Sequence, residues 1–187
     1  MPAQDDDPKD PFRLGDDPGW RPGHRDGRPD GLVALRMTFL AVCSGLLVVG
    51  VVVGVLAADA DRADGSVSPW VAAAAVAGVG VLGLLAVRFL PLRLDCSDEL
   101  VLAGSWRSRF LGRVAAAEVA ALAGFVAYVL TGTPALYPLG LVFSALGLAY
   151  AGPFRATLIR DQEQLALEEC AIALVPALRH AVTRDRG

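Results

Sequence analysis

The chain has 187 residues, a formal net charge of −3 and 54% apolar residues, compared with about 45–50% in ordinary globular proteins. The apolar residues form long runs that charged residues avoid, which excludes an ordinary water-soluble domain. Sixteen of the seventeen basic residues are arginine, and alanine, glycine and valine dominate the remainder. These biases indicate a GC-rich bacterial genome.

Residues 1–30 form the first region, and they contain no apolar stretch of the length that a cleavable signal peptide needs. The region begins with a run of acidic residues around Lys9 and continues with proline, glycine, aspartate and arginine. Such a segment has too little apolar surface to offset the entropy lost on ordering. We therefore expect a disordered cytoplasmic tail, with a docking arm for a partner as the alternative.

Four apolar segments follow, covering residues 31–58, 69–90, 111–131 and 134–152. Each approaches the roughly 20 residues that an α-helix needs to cross a bilayer. The segments are apolar throughout, whereas the strands of a membrane barrel alternate, and backbone groups in lipid must be satisfied within the segment. The sequence therefore predicts an all-α membrane protein, in which residues 31–152 form four transmembrane helices arranged as two hairpins.

Arginine marks one side of these predicted spans. The side with both termini and the second connection has eleven arginines near span ends, whereas the other side has only Arg62 among acidic residues and an uncharged turn at 131–134. Basic residues near span ends stay in the cytoplasm. The pattern predicts a multi-pass protein of the bacterial plasma membrane with cytoplasmic N- and C-termini. The eleven arginines are Arg21, Arg25, Arg28, Arg36, Arg88, Arg93, Arg107, Arg109, Arg113, Arg155 and Arg160.

The second connection, residues 91–111, is a linker that becomes amphipathic after a polar run at 95–99. Aromatic and basic residues at a span edge usually anchor it among lipid headgroups. We predict that role here, with a dedicated lipid-binding or partner site as the alternative. The residues concerned are Leu100, Val101, Leu102, Trp106 and Phe110, interleaved with Arg107 and Arg109.

Residues 153–187 are predicted to form a cytoplasmic amphipathic helix and a tail. Apolar residues recur every seven positions from Leu158, with charged residues between them. The pattern predicts one helix of about twenty residues that starts near Pro153 and is kinked or ended by Pro176. This helix could lie on the membrane, pack on the linker or dimerise.

Three cysteines, Cys43, Cys96 and Cys170, lie far apart, without CxxC spacing or a companion histidine. Neither a zinc site nor a disulfide framework is indicated. Because Cys96 and Cys170 fall in segments predicted to be cytoplasmic, where thiols stay reduced, we expect three free thiols.

Glu118 is the one acidic residue within the four predicted spans. Acids inside spans are costly and usually face the bundle interior or a polar cavity. Arg36 and Tyr150 lie at similar depth and are the first two candidate partners, with Arg88 a third. An ion pair or hydrogen-bonded cluster that fixes helix packing, a proton or cation site, and a carboxylate that reaches the interface are the three interpretations.

The sequence offers no catalytic set. The two histidines are His24 and His180, and no serine has a nucleophile-elbow context. We therefore expect no enzyme activity, cofactor, metal or nucleic-acid partner. The prediction is a small non-enzymatic membrane protein that acts through helix packing, as a homo-oligomer or an accessory subunit of a membrane complex. A small transporter or ion-coupled carrier using Glu118 is the alternative.

The stretch from Arg113 to Phe125, with Ala-Glu followed by small residues and Gly-Phe, resembles a pattern in uncharacterised four-helix membrane proteins of bacteria, actinobacteria in particular. The exit from the fourth span at Gly152-Pro153 is similar to theirs. This resemblance implies a four-helix bundle and no particular activity.

Overall fold

The structure, a computed structural model, describes residues 24–25, 28–59, 67–89 and 94–179. This part of the chain is α-helical, apart from the strands β1 (His24–Arg25) and β2 (Arg28–Pro29), which pair antiparallel with His24 opposite Pro29. The helices are α1 (Gly31–Asp59), α2 (Pro69–Phe89), α3 (Glu99–Thr131), α4 (Leu136–Ala151), α5 (Arg155–Leu167) and α6 (Leu174–Arg179).

Three of these helices, α1, α2 and α3, are long and apolar enough to cross a membrane. Helix α4 meets the same criterion only together with α5, from which it is bent by 54°. The described chain therefore has three candidate spans, or up to four if the bent pair counts as one. The predicted helical fold with long apolar segments is confirmed.

Helix α3 begins at Glu99, twelve residues before the predicted span. The amphipathic half of the linker is helical, and the backbone carbonyl of Asp98 accepts the first bond, from the Leu102 amide. No proline separates this amphipathic part from the apolar part, so nothing in the backbone stops one helix from running through both.

The chain divides into two compact units. Unit 1 comprises Met1–Met37, Arg93–Arg107 and Pro153–Gly187, and unit 2 comprises Thr38–Leu92 and Ser108–Gly152. The boundary falls inside α1 and inside α3, so each of these helices contributes residues to both units.

In unit 2, α2 and α4 run in the same direction and in register. A Cβ added at Gly80 would overlap the ring of Phe143, and one turn further on, a Cβ at Gly147 would lie 3.7 Å from Leu84. Small residues let helix backbones approach closely in lipid, where association depends on packing. Gly80 thus sets the distance between α2 and α4, whereas the close contact of Gly147 is with Ala117 of α3, 2.8 Å from its added Cβ.

Helix α3 packs against α4 at even closer range. A Cβ at Gly140 would overlap the carbonyl oxygen of Ala120, and one at Gly124 would lie 2.6 Å from the carbonyl oxygen of Leu136. The hydroxyl of Ser144, fully buried, accepts a 2.9 Å hydrogen bond from the Ala121 amide. At Gly124 and Gly140 the backbones of the two helices are in direct contact, so a larger residue does not fit at either position.

Helix α1 has a narrower contact with the rest of unit 2. The Tyr137 hydroxyl donates a 2.7 Å hydrogen bond to the carbonyl oxygen of Leu46, and a Cβ at Gly50 would lie 3.3 Å from the same ring. Val53 is buried, whereas most of the other residues in this part of α1 are exposed. Only 11% of the most apolar stretch of α1 is buried, compared with 28% in α2 and 44% in α3.

The C-terminal part of unit 1 is two helices, so the prediction of one continuous helix was wrong. Helix α5 ends at Leu167, and Glu169 adopts a left-handed conformation with φ of 59°. The amides of Glu169 and Cys170 then donate to the carbonyls of Ala166 and Leu165, the bond pattern of a Schellman motif. Pro176 lies in the first turn of α6, where its missing N–H costs no helical hydrogen bond.

Candidate functional site

The structure places the three residues predicted to form a polar cluster as follows. Glu118 is half-buried on α3. The ring of Tyr150 lies 6.0 Å from the Arg88 guanidinium carbon. Arg36, only 1% exposed, belongs to unit 1. A cluster that joins Glu118, Arg36 and Tyr150 stays a prediction.

The Arg36 guanidinium is a buried charge with a defined hydrogen bond. Its Nε donates to the carbonyl oxygen of Pro153 at 3.3 Å. Pro153 follows the end of α4, so its carbonyl is outside a helical hydrogen-bond ladder and free to accept from a side chain. Within unit 1 this bond links the start of α1 to the segment that leads into α5.

Unit 1 also contains a buried polar pair that no sequence pattern predicted. Trp106 is 2% exposed and its Nε1 donates a 2.8 Å hydrogen bond to Oδ2 of Asp161, which is itself 2% exposed. The predicted headgroup anchor is therefore wrong for Trp106, because its ring is in the interior. A buried indole N–H needs a partner, and the carboxylate supplies one.

Asp30 holds the beginning of α1. Its Oδ1 accepts the amides of Leu32 at 3.0 Å and Val33 at 3.4 Å, which satisfies two of the free N–H groups at a helix start. Its Oδ2 pairs with Nε of Arg179 at 2.7 Å. An aspartate directly before an apolar run is a helix-start signal, so the cap was readable from the sequence, whereas the ion pair was not.

Gln162 performs a similar task for α6. Its Oε1 accepts the Leu174 amide at 2.7 Å, and its Nε2 donates to the Ile172 carbonyl at 3.5 Å. Leu174 is the first residue of α6, so a side-chain oxygen from α5 accepts a hydrogen bond from a backbone N–H at the start of α6. The buried leucines Leu174 and Leu178 then cover the apolar side of α6.

Cys96 and Cys170 form a disulfide, with 5.9 Å between their Cα atoms. The expectation of three free thiols was therefore wrong for these two, and Cys43 is the free cysteine of the described chain. The turn after Leu167 is what takes Cys170 out of the predicted continuous helix. Disulfide pairing depends on such three-dimensional proximity, and a separation of 74 positions in sequence gave no sign of it.

The described residues contain no group of three or more histidine, cysteine, aspartate or glutamate side chains that could hold a metal ion. The groups that could carry chemistry are the half-buried carboxyl of Glu118 in unit 2, and a disulfide with buried polar pairs in unit 1. Comparison with protein-family models, with curated proteins and with solved structures found no match to this chain.

Proposed function

We propose that this chain is a non-enzymatic integral membrane protein that acts by packing against another membrane protein, as a homo-oligomer or as an accessory subunit. The observation that carries this proposal is the uneven packing of α1. That helix has 29 residues, but only 11% of its most apolar stretch is buried. It therefore has more surface available to a second protein than α2 or α3.

The close packing of α2, α3 and α4 supports the same proposal. The glycine contacts at Gly124 and Gly140 bring backbone against backbone, which leaves no space for a substrate between α3 and α4. We therefore propose that the protein acts through its outer surface, by binding another membrane protein. We propose four passes through the bilayer, of which α1, α2 and α3 are each long and apolar enough by themselves and the 16-residue α4 is the shortest.

We further propose that unit 1 lies on the cytoplasmic side of a bacterial plasma membrane. Eleven of the twelve arginines near the predicted span ends belong to that side, and basic residues near span ends are retained in the cytoplasm. The termini would then both be cytoplasmic.

Photo-crosslinking in native membranes tests the packing function. A photoreactive amino acid replaces Val51 or Val55 on the exposed face of α1, and Val142 of α4, which is similarly exposed, serves as the control. We expect protein adducts from the α1 positions, either of twice the monomer mass or with a second membrane protein, and none from Val142. Adducts with lipid alone at all three positions would contradict the proposal.

An ion-coupled carrier is the second candidate, because Glu118 is a half-buried acid within an apolar helix. A carboxyl in such a place can bind and release a proton. A liposome flux assay compares the parent with Glu118→Gln, and Glu99→Gln, outside the predicted spans, is the control. The carrier candidate requires flux that the Glu118 substitution alone abolishes.

A further inference from the structure

The disulfide of unit 1 joins two chain segments that are 74 positions apart in sequence. Cys96 lies in the segment before α3, and Cys170 lies in the turn between α5 and α6. Both residues are half-buried, so part of the surface of each is accessible from solution. The bond thus fixes the α5–α6 turn to the start of α3.

Acidic side chains surround this disulfide in sequence. Residues 95–99 and 168–170 contain five of them, all exposed, and Arg93 is the one basic residue within three sequence positions of either cysteine. Charges in water act over a Debye length of about 8 Å at physiological ionic strength, so side chains one to three positions from a cysteine affect a charged molecule that approaches it. We name this group the acidic rim; its members are Asp95, Asp98, Glu99, Glu168 and Glu169.

We propose that Cys96–Cys170 is a reversible thiol–disulfide exchange site whose acidic rim selects uncharged or cationic reactants over anionic ones. The reversibility in the cell rests on the proposed cytoplasmic placement of unit 1, since disulfides in that compartment are usually transient and redox-sensing. The charge selectivity follows from the rim and holds wherever unit 1 lies.

The reductant is a low-molecular-weight thiol. Its thiolate attacks one sulfur of the pair, the S–S bond breaks, and the other cysteine leaves as a thiolate and takes up a proton. A second thiol molecule attacks the mixed disulfide, which releases the other cysteine and a small-molecule disulfide. Two electrons and two protons pass to the protein, and two thiols are oxidised to one disulfide. The small-molecule disulfide drives the same steps in reverse.

Reversible exchange also requires that the reduced pair stays in place, and non-covalent contacts of unit 1 provide for this. The Gln162 side chain caps α6 just beyond Cys170, and Arg179 at the end of α6 pairs with the buried Asp30. With α6 held at both ends, reduction releases the S–S bond without releasing the turn. The two sulfurs then remain close enough to be oxidised again.

The rate of reduction measures the selectivity directly. The full chain in detergent, carrying Cys43→Ser, is reduced by the cationic thiol cysteamine or by the anionic thiol 3-mercaptopropionate. A thiol-reactive polyethylene glycol reports the two cysteines as a mass shift of two adducts. Each rate is divided by that thiol's rate with an uncharged model disulfide, which removes differences in intrinsic reactivity. At low salt we expect a cysteamine preference on the order of tenfold.

The control variant neutralises all five rim residues by Asp95→Asn, Asp98→Asn, Glu99→Gln, Glu168→Gln and Glu169→Gln, which preserve side-chain size. We expect the cysteamine preference to fall toward one in this variant and in the parent at high salt. A preference that is absent in the parent, or that survives neutralisation unchanged, would overturn the selectivity.

Trapping in cells tests reversibility. Cells are exposed to a permeant thiol oxidant and allowed to recover, then quenched with acid and treated with the same polyethylene glycol reagent. We expect the two-adduct form to be lost with the oxidant and to return on recovery. A pair that stays oxidised or stays reduced throughout would overturn reversibility. If unit 1 proves to be outside the cytoplasm, the proposed placement fails, whereas the rate ratios in detergent still decide the selectivity.

Discussion

The indole Nε1 of Trp106 lies 2.8 Å from Oδ2 of Asp161 and donates a hydrogen bond to it, across 55 residues of sequence. This bond connects the first turns of α3 to α5 within unit 1. Hydrogen bonds to a charged partner contribute more than neutral ones, about 1.5–3 kcal/mol. Trp106 therefore serves unit 1 through its N–H as well as through its buried ring.

A double-mutant cycle measures this pair. We expect Trp106→Phe and Asp161→Asn each to lower the free energy of unfolding, and the double variant to lose less than the sum, with a coupling of about 1 kcal/mol or more. Unfolding by SDS titration supplies the free energies. Strictly additive losses would show that the bond contributes nothing. Trp70, which is 85% exposed, gives the control Trp70→Phe, for which little change is expected.

Asp30 offers a separation of two effects in one side chain. Asn caps a helix as well as Asp does, so Asp30→Asn removes the ion pair with Arg179 and retains the cap. We expect that variant to lose about 1.5–3 kcal/mol, because the pair is largely buried, with Asp30 3% and Arg179 19% exposed. Asp30→Ala removes both, and we expect a further loss of about 1 kcal/mol for the cap.

The same SDS titration checks both Asp30 variants, with deletion of residues 1–23 as a control. The sequence predicts that this tail buries no apolar surface, so its deletion should leave unfolding unchanged. Equal losses for Asp30→Asn and Asp30→Ala would mean that the carboxylate does not cap α1.

Gly140 and Gly54 form a matched pair. A Cβ at Gly140 would overlap the carbonyl oxygen of Ala120, whereas a Cβ at Gly54 would meet nothing within 4 Å. Overpacking costs about 1–3 kcal/mol, so Gly140→Ala should destabilise the protein by that amount. Gly54→Ala should have no cost, and the higher helix propensity of alanine favours a gain of up to about 1 kcal/mol. Thermal unfolding in detergent compares them; similar melting of the two variants would refute the close α3–α4 contact.

The orientation can be measured by labelling with an impermeant maleimide in intact cells. Native Cys96 and Cys170 are unsuitable reporters, because a disulfide does not react with maleimide on either side. With all three native cysteines replaced by serine, we expect Gly65→Cys to be labelled from outside and Leu167→Cys, 86% exposed in unit 1, to remain unlabelled. The opposite pattern would invert the proposed orientation.

The apolar helices were predictable because crossing a bilayer requires a long uncharged run, and such runs are visible in a single sequence. The start of α3 at Glu99 was not predicted, because the first turns of this helix are amphipathic and do not belong to an apolar run. The break after α5 was missed because Glu169 takes a left-handed conformation that glycine usually supplies. No local signal marks it.

The polar contacts of unit 1 are of two kinds: one is local in sequence and predictable, and the others join distant positions and are not. The Asp30 cap is local, so an aspartate before an apolar run predicts it. The pairs Trp106–Asp161 and Cys96–Cys170 join positions 55 and 74 residues apart. The first pair requires that α3 already be helical at Trp106, and the second requires the turn after α5 that contains Cys170. Neither feature was predicted from the sequence.

The contacts between α3 and α4 also set how this sequence can change over evolutionary time. Position 140 touches a backbone oxygen and position 124 another, and a backbone atom cannot be replaced to make room. Homologous chains with this bundle should therefore retain glycine at both positions. The outward face of α1, at Val48, Val52 and Val55, meets no such limit from its own chain. Exchange among large apolar residues there should be free in a lineage where lipid covers that face, and restricted in a lineage where a partner does.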